Sequence, residues 1–182
     1  SQSGSWFFKG SYNLPDKSGR LYIDLQTIPL RVLSEYFGPV QYGGILSGEL
    51  KADFHSPDLK QADLAGSWKV KDFHAPAFAA ESIQGRISMS DGRAELTNII
   101  AQQGPGTIKG SGTVSLGRYR RADFAFAARQ WTWPGEFPVS AVADANAVVH
   151  VDSAADLVRG RGDFTVRPFF QDKTVGTLRF DA

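Results

Sequence analysis

Cysteine is absent from this chain of 182 residues, and methionine occurs only once. Without thiols the chain cannot form a disulfide scaffold, a thiolate metal site or a cysteine nucleophile, although it suits either redox environment. The sequence also lacks an apolar run of about 18 residues, the signal of a membrane-spanning helix. The chain also has no large excess of charge of either sign, because 20 Lys and Arg balance 19 Asp and Glu. This balance disfavours a nucleic-acid binder that depends on a basic surface.

Catalytic and metal-binding patterns are missing as well. The three histidines, His55, His74 and His150, stand singly without the His-x-x-x-His spacing of metal ligands, so we expect them on the surface. Neither a Gly-x-Ser-x-Gly elbow between a strand and a helix nor a phosphate-binding loop occurs. Carboxylate pairs such as Asp91 and Glu95 fall on turns and strand faces. The sequence therefore predicts a protein that is not an enzyme and that holds no metal and no cofactor.

One basic cluster lies near two tryptophans. Arg118, Arg120 and Arg121 precede Trp131 and Trp133, an arrangement that could stack single-stranded nucleic acid or hold lipid headgroups. A solvated turn that leads into a strand explains the same residues, and we favour that interpretation. We therefore predict no nucleic-acid partner.

The sequence is rich in glycine and phenylalanine, and its apolar and polar residues alternate with a period of two. The chain has 19 Gly and 13 Phe, and one segment after another alternates apolar with polar residues. In one of them Leu46 and Leu50 are in phase with Gly48, while Ser47 and Glu49 fall on the opposite face. Similar segments recur along the chain and predict about eleven strands, each with one apolar and one polar face.

Turn signals separate these strands, and short connections imply antiparallel neighbours. The turn clusters lie at residues 15–19, 55–58, 90–92, 103–106 and 133–135. The only helical pattern runs from Pro29 to Phe37, where Leu30, Leu33 and Phe37 share one face and Gly38 ends the helix. We therefore predict an all-β domain over residues 1–182 with one short helix.

A sheet of about eleven strands must fold over, split or close. Glycines recur at in-phase positions on the apolar side, at Gly48, Gly66, Gly85 and Gly110. They could simply permit sharp coiling in a packed sandwich. Alternatively, they could remove side chains from the interior of a half-pipe, which would leave room for acyl chains.

Between Leu21 and Leu116 the chain resembles the repetitive β region of the TamB/AsmA-like family of bacterial envelope proteins. In that region a short helix follows a strand and precedes Gly-x-Leu-x-Gly-x-Leu units and Gly-x-Gly-x-Val strands. The segments that carry the resemblance are LQTIPLRVLSEYFG, GGILSGELKADF, ADLAGSWKVKDF and ESIQGRISMSDGRAELTNIIAQQGPGTIKGSGTVSL.

The resemblance implies a strongly curved, mostly antiparallel sheet that forms a taco-like half-pipe with an apolar interior. It further implies a noncatalytic segment of a longer, inner-membrane-anchored periplasmic protein that carries lipid between the inner and outer membranes and supports outer-membrane biogenesis. The implied partners are phospholipid or another acyl-chain ligand, neighbouring β repeats of the same protein and an outer-membrane protein. The implied groove-lining residues are Leu46, Leu50, Phe54, Leu64, Trp68, Val70, Ile83, Ile87, Met89, Leu96, Ile108, Val114, Leu116, Phe124, Phe126, Val149, Phe164 and Val166.

A second class of function stays open: a self-contained β-sandwich or barrel that binds a small apolar or sugar ligand or acts as a scaffold. The two classes differ at the sheet edges, because a groove segment leaves its outer strands as templates whereas an isolated domain must blunt them. The alternation continues from Thr177 to Asp181, which favours a strand within a longer sheet.

Overall fold

A computed structural model describes residues 4–32, 42–55, 62–76, 78–115, 121–133, 141–152 and 157–168. These residues form a single antiparallel sheet in which every strand pairs with its neighbours in sequence, in the order β1 to β10. The sheet is open, with β1 and β10 at its two edges. The strands are β1 (Ser5–Asn13), β2 (Ser18–Pro29), β3 (Gly43–Phe54), β4 (Asp63–Ala75), β5 (Phe78–Ser90), β6 (Arg93–Gln103), β7 (Gly106–Ser115), β8 (Arg121–Trp133), β9 (Ala141–Asp152) and β10 (Leu157–Pro168). The prediction of an all-β, antiparallel fold is confirmed.

Short turns join several of these strands where the sequence predicts them. Turns occupy residues 14–17, 91–92 and 104–105, whereas most of the clusters at 55–58 and 133–135 lies outside the described residues. Helical residues begin at Leu30 and are described as far as Val32, and the rest of the predicted helix lies outside the described residues. The alternating stretch after Thr177 also lies outside them. No helix within the described ranges is long and apolar enough to cross a membrane.

The strand register separates the side chains into two faces, because directly paired residues of neighbouring strands project to the same side. Leu50 pairs with Gly66, Gly66 with Ile87, and Ile87 with Leu96, and this row reaches Phe124 through β7. We call this side of the sheet the apolar face. The other side, the polar face, carries Glu49, Ser67, Arg86 and similar residues in the row beside it.

Bulges interrupt the alternation near the C-terminal ends of β2, β4 and β8 and at the middle of β6. In each strand an apolar residue is followed by two polar residues and then by another apolar residue, and the second polar residue has a positive φ between 51° and 54°. These residues are Thr27, Asp72, Asn98 and Gln130. The extra residue moves the apolar side chains from one sequence parity to the other, and bulges of this kind bend a strand and increase its twist.

Long side chains at the bulged end meet across two intervening strands. The rings of Phe78 on β5 and Trp131 on β8 are stacked, with centroids 5.2 Å apart and an interplanar angle of 12°. Neighbouring strands lie about 4.8 Å apart, so two strands separated by β6 and β7 would be roughly 14 Å apart in a flat sheet. The Gln103 side chain also joins these strands, since its amide donates to the carbonyl oxygen of Ala79 and accepts from the backbone N–H of Thr132. The sheet therefore curves around the end of the β6–β7 hairpin.

Candidate functional site: the apolar face of the sheet

The predicted groove-lining residues share one face wherever the structure describes them. One row runs through Leu46, Val70, Ile83 and Ile108, and a second contains Leu64, Met89 and Val114. A third row contains Leu50, Ile87, Leu96, Phe124 and Val149. Trp68 pairs with Gly85 and Phe126 with Gly110 on the same face, on either side of the register shift between β5 and β6. Phe54 pairs with Gly19 at one end of the sheet.

For the remaining three predicted positions no side chain is described. Phe164 and Val166 occupy β10, where their backbones pair with Ala145 and Ala143 of β9. Leu116 lies outside the described residues.

Most of the described apolar face is only half-buried. Val70 and Ile108 are 6% and 9% exposed, but the other described groove-lining side chains keep an intermediate exposure. Within the described part of the chain, Trp131 is the only large side chain that is fully buried. The remaining buried residues are mostly alanines, so no second layer of the described structure covers the larger apolar side chains.

The in-phase glycines do not leave empty space at the three positions where rings lie over them. A Cβ atom placed on Gly112 would come within 2.2 Å of Cδ1 of Phe124, and one on Gly110 within 2.6 Å of Cδ1 of Phe126. A Cβ on Gly85 would lie 2.9 Å from the Trp68 indole. Each glycine therefore accommodates an aromatic ring from a neighbouring strand, as in aromatic rescue of strand glycines. Of the two alternatives for these glycines, the one in which they leave the interior empty does not hold at these positions, because protein rings fill the space.

An aromatic cluster at the bulged end was not predicted from the sequence. Trp131 packs with Ala80, Ala101, Ile108, Ala128 and Ala145, and Phe73, Phe78 and Phe126 contact this group. The Trp131 indole N–H is buried without a hydrogen-bond partner. The signal for this cluster was available in the pairs of polar residues at the bulges, which change the parity of the apolar positions.

The burial of Trp131 also bears on whether the basic cluster near the two tryptophans could bind nucleic acid. Its ring is 0% exposed on the apolar face, so it is not available to stack on a nucleic-acid base in this conformation. Arg118, Arg120 and the Trp133 side chain lie outside the described residues. The nucleic-acid interpretation loses the one aromatic residue that the structure describes.

Serine, aspartate and histidine meet at one place on the polar face, but not in the order of a hydrolase triad. The Ser90 hydroxyl donates a 2.6 Å hydrogen bond to Asp63, and His55 Nε2 lies 3.3 Å from the other oxygen of the same carboxylate. The carboxylate thus stands between the serine and the histidine, so the imidazole cannot take the serine proton. The Ser90 hydrogen bond holds the pKa of Asp63 below its ordinary value, partial desolvation opposes this, and His55 adds to the lowering.

The other two histidines have structural neighbours on or near the polar face. His150 Nδ1 contacts the carboxylate of Asp123, its cross-strand partner. The His74 ring lies against the backbone of Gly43, and its Nδ1 is 3.2 Å from the carbonyl oxygen of Asp72. Within the described ranges no three His, Asp or Glu side chains are grouped as metal ligands would be.

Two open recesses lie on the polar face. One, of about 820 Å³, is lined by charged side chains that include Asp24, Glu49, Lys69 and Arg86. The other, of about 960 Å³, lies farther along the sheet, and its lining includes Lys109, Ala125, Ala127 and Asn146. These recesses are the structural features that a small polar ligand would use.

Comparison of the chain with protein-family models, with curated proteins and with solved structures gave no match.

Proposed function

We propose that this chain is a noncatalytic segment of a bacterial envelope protein whose apolar sheet face receives the acyl chains of lipids. The observation that carries the proposal is the continuity of that face: the positions that face this side on β1 to β9 hold apolar residues and glycines, and none of those described is charged. A hydrocarbon chain needs such a surface and needs no catalytic group.

Half-burial of the large apolar side chains supports the proposal. Leu50, Ile87 and Phe124 lie in one row, and each keeps part of its side chain accessible. Burying apolar area stabilises an assembly by about 25 cal/mol per Å², so these side chains favour contact with hydrocarbon. An acyl chain that lies along successive rows gains this contact at every strand.

On this proposal the protein works in the periplasm as part of a longer, inner-membrane-anchored chain. Its sheet extends through neighbouring β repeats, and the lipid passes towards an outer-membrane protein. This context comes from the resemblance to the TamB/AsmA-like family, and the described strands form a sheet that is open at both edges, as it requires.

Photocrosslinking from paired positions tests the lipid contact. A photoreactive phenylalanine analogue replaces Leu50 on the apolar face or Lys51, the next residue, on the polar face. The protein is produced in the periplasm of a bacterium whose phospholipids are radiolabelled. We expect labelled phospholipid on the Leu50 variant and none on the Lys51 variant. Equal labelling at both positions, or no labelling at Leu50, would contradict the proposal.

A charge on the apolar face provides a second arm of the experiment. Ile87→Arg places a cation between Gly66 and Leu96, whereas Ser88→Arg places the same side chain on the exposed polar face. An unpaired charge beside hydrocarbon costs several kcal/mol. We expect native mass spectrometry to show lipid on Ser88→Arg and a reduced load on Ile87→Arg, compared at temperatures where circular dichroism finds both variants folded. An unchanged lipid load on folded Ile87→Arg would contradict the proposal.

A second candidate function is a self-contained β domain that binds a small polar ligand. The recess with Asp24, Glu49, Lys69 and Arg86 favours it, because both signs of charge line one concave surface. A sugar or zwitterion would use these side chains as hydrogen-bond partners. Ligand-observed NMR with Lys69→Met and Lys71→Met separates the two functions, because Lys71 is exposed on β4 but does not line the recess. Binding lost only in Lys69→Met would favour the second function.

A further inference from the structure

Burial is uneven across the apolar face, because one cross-strand row is covered and the next two are not. The covered row lies towards the β6–β7 turn and runs from Ile28 on β2 to Ala145 on β9. Between these two strands only Leu46 and Ile83 of this row keep an intermediate exposure. Its buried members, none more than 9% exposed, are Ile28, Val70, Ala101, Ile108, Ala128 and Ala145. Protein alone thus shields this row from solvent.

The two rows towards the β5–β6 turn keep their larger side chains accessible. Leu50 and Ile87 belong to one of these rows and Leu64 belongs to the other, and all three have an intermediate exposure. Among the described members of both rows, only the alanines Ala52 and Ala94 are buried. We call these two rows the open half of the apolar face.

Three aromatic rings cover the shielded row. Phe78 on β5 stacks on Trp131 of β8, and Phe73 on β4 contacts Phe78 with ring centroids 5.9 Å apart. Phe73 and Phe78 both pack against the buried group that contains Ile108 and Trp131. We call Phe73, Phe78 and Trp131 the aromatic wall. Because the curved sheet brings β5 and β8 together at this end, the wall closes the apolar face there.

We propose that the aromatic wall confines acyl chains to the open half of the apolar face. The inference rests on the proposed function and adds which part of the face takes the hydrocarbon. Contact with hydrocarbon gains free energy only where apolar area leaves water, and the shielded row has little such area left. A chain that entered this row would also have to separate the Phe78 and Trp131 rings in a closely packed region. Acyl chains therefore lie over the rows of Leu50 and Leu64 and enter from the side of the β5–β6 turn.

The groove-lining positions consequently differ in role. Leu50, Leu64 and Ile87 contact lipid directly, whereas Val70 and Ile108 lie beneath the wall and support it. The three rings of the wall are positioning residues, because they determine where the hydrocarbon lies without being needed to attract it.

Photolabelling of the unmodified chain tests this division. The protein is incubated with vesicles of a phosphatidylcholine that carries a diazirine in one acyl chain, separated from them and irradiated, and the adducts are located by tandem mass spectrometry. Ile83 and Ile87 form a matched pair, since they are the same residue type on the same strand and face with intermediate exposure. We expect several-fold more adduct on Ile87 than on Ile83.

The outcomes of this experiment separate the wall from the proposed function. Equal yields at the two isoleucines, or a higher yield at Ile83, would overturn the wall and leave the lipid-binding function standing. No adduct anywhere on the apolar face would overturn both.

Removing one ring tests whether the wall itself causes the difference. In Phe78→Ala hydrocarbon can occupy the space of the ring, so the yield at Ile83 relative to Ile87 should rise several-fold. Phe124→Ala, the matched control, removes the same ring from the open half and should not raise this ratio. The variants are compared at temperatures where circular dichroism shows the parent spectrum. Phe78→Leu, which keeps part of the side chain, replaces Phe78→Ala if the latter does not fold, with the same expected direction. An unchanged ratio in the folded variant would overturn the proposal.

Discussion

Valine at Gly112 tests whether in-phase glycines exist to seat aromatic rings. The new Cβ would lie 2.2 Å from Cδ1 of Phe124 and 2.7 Å from the carbonyl oxygen of Asp123. The Phe124 ring therefore has to leave its position, and the strand backbone has to shift slightly at Asp123. Overpacking of this kind costs about 1–3 kcal/mol, and the higher strand propensity of valine returns up to about 1 kcal/mol. We expect Gly112→Val to lower the free energy of unfolding by about 1–2 kcal/mol.

A double-mutant cycle separates this steric effect from a general effect of valine. Phe124→Ala alone removes a half-buried ring and should cost roughly 2 kcal/mol. In the double variant the valine occupies space that the ring has left, so the combined loss should be smaller than the sum by at least about 1 kcal/mol. Urea unfolding followed by circular dichroism measures all three variants.

The matched control is Ser111→Val, which introduces the same side chain on the same strand but on the exposed polar face. Its free energy of unfolding should stay within about 0.5 kcal/mol of the parent. The reasoning is refuted if Gly112→Val is as stable as Ser111→Val, or if the losses of Gly112→Val and Phe124→Ala simply add.

Three further predictions concern other parts of the sheet. Trp131→Ala should lower the free energy of unfolding by about 3–5 kcal/mol. Trp131→Phe should lower it much less, because phenylalanine keeps a ring at this position and removes a buried N–H that has no acceptor. Urea unfolding compares the two variants. Asn98→Val should lose about 1–2 kcal/mol and Asn98→Gly little, because the residue has a φ of 52°. Because the folded protein lowers the pKa of Asp63, the ionised carboxylate stabilises the fold. This stabilisation is complete above the ordinary pKa of 3.8 and is lost as the pH falls through the lower pKa of the folded state. Asp63→Asn should therefore show a smaller fall in Tm than the parent between neutral pH and about pH 3, and an equal fall would contradict this.

The faces of the central strands could be predicted from the sequence because the period of two is a local property. The alternation within each strand separates its apolar from its polar residues, and the register then places Leu50, Ile87 and Phe124 in one cross-strand row. Polar turn residues with glycine marked the hairpins at residues 91–92 and 104–105 for the same reason. Each of these features depends only on neighbours in the chain.

The seating of rings over glycines could not be predicted, because it depends on which residues lie opposite each other. Gly110 stands opposite Phe126 and Gly112 opposite Phe124 only when β7 and β8 adopt the observed register. A shift by two residues would keep every side chain on its face but change all of these pairs. The same sequence pattern was therefore compatible with an empty interior and with one that aromatic rings fill.

The aromatic cluster could not be predicted from strict alternation along a strand, because each bulge moves the apolar positions from even to odd residue numbers or the reverse. In β8 the apolar face holds even-numbered residues as far as Ala128, and after Arg129 and Gln130 it continues at Trp131. The same change of parity follows the paired polar residues in β2, β4 and β6, where the next apolar residues are Ile28, Phe73 and Ile99. Two adjacent polar residues inside an alternating strand thus indicate a bulge rather than the end of the strand. Applying this rule places Trp131 on the same face as Ile108 and Ala128, and it explains why the most buried ring of the described sheet is out of phase with its neighbours in sequence.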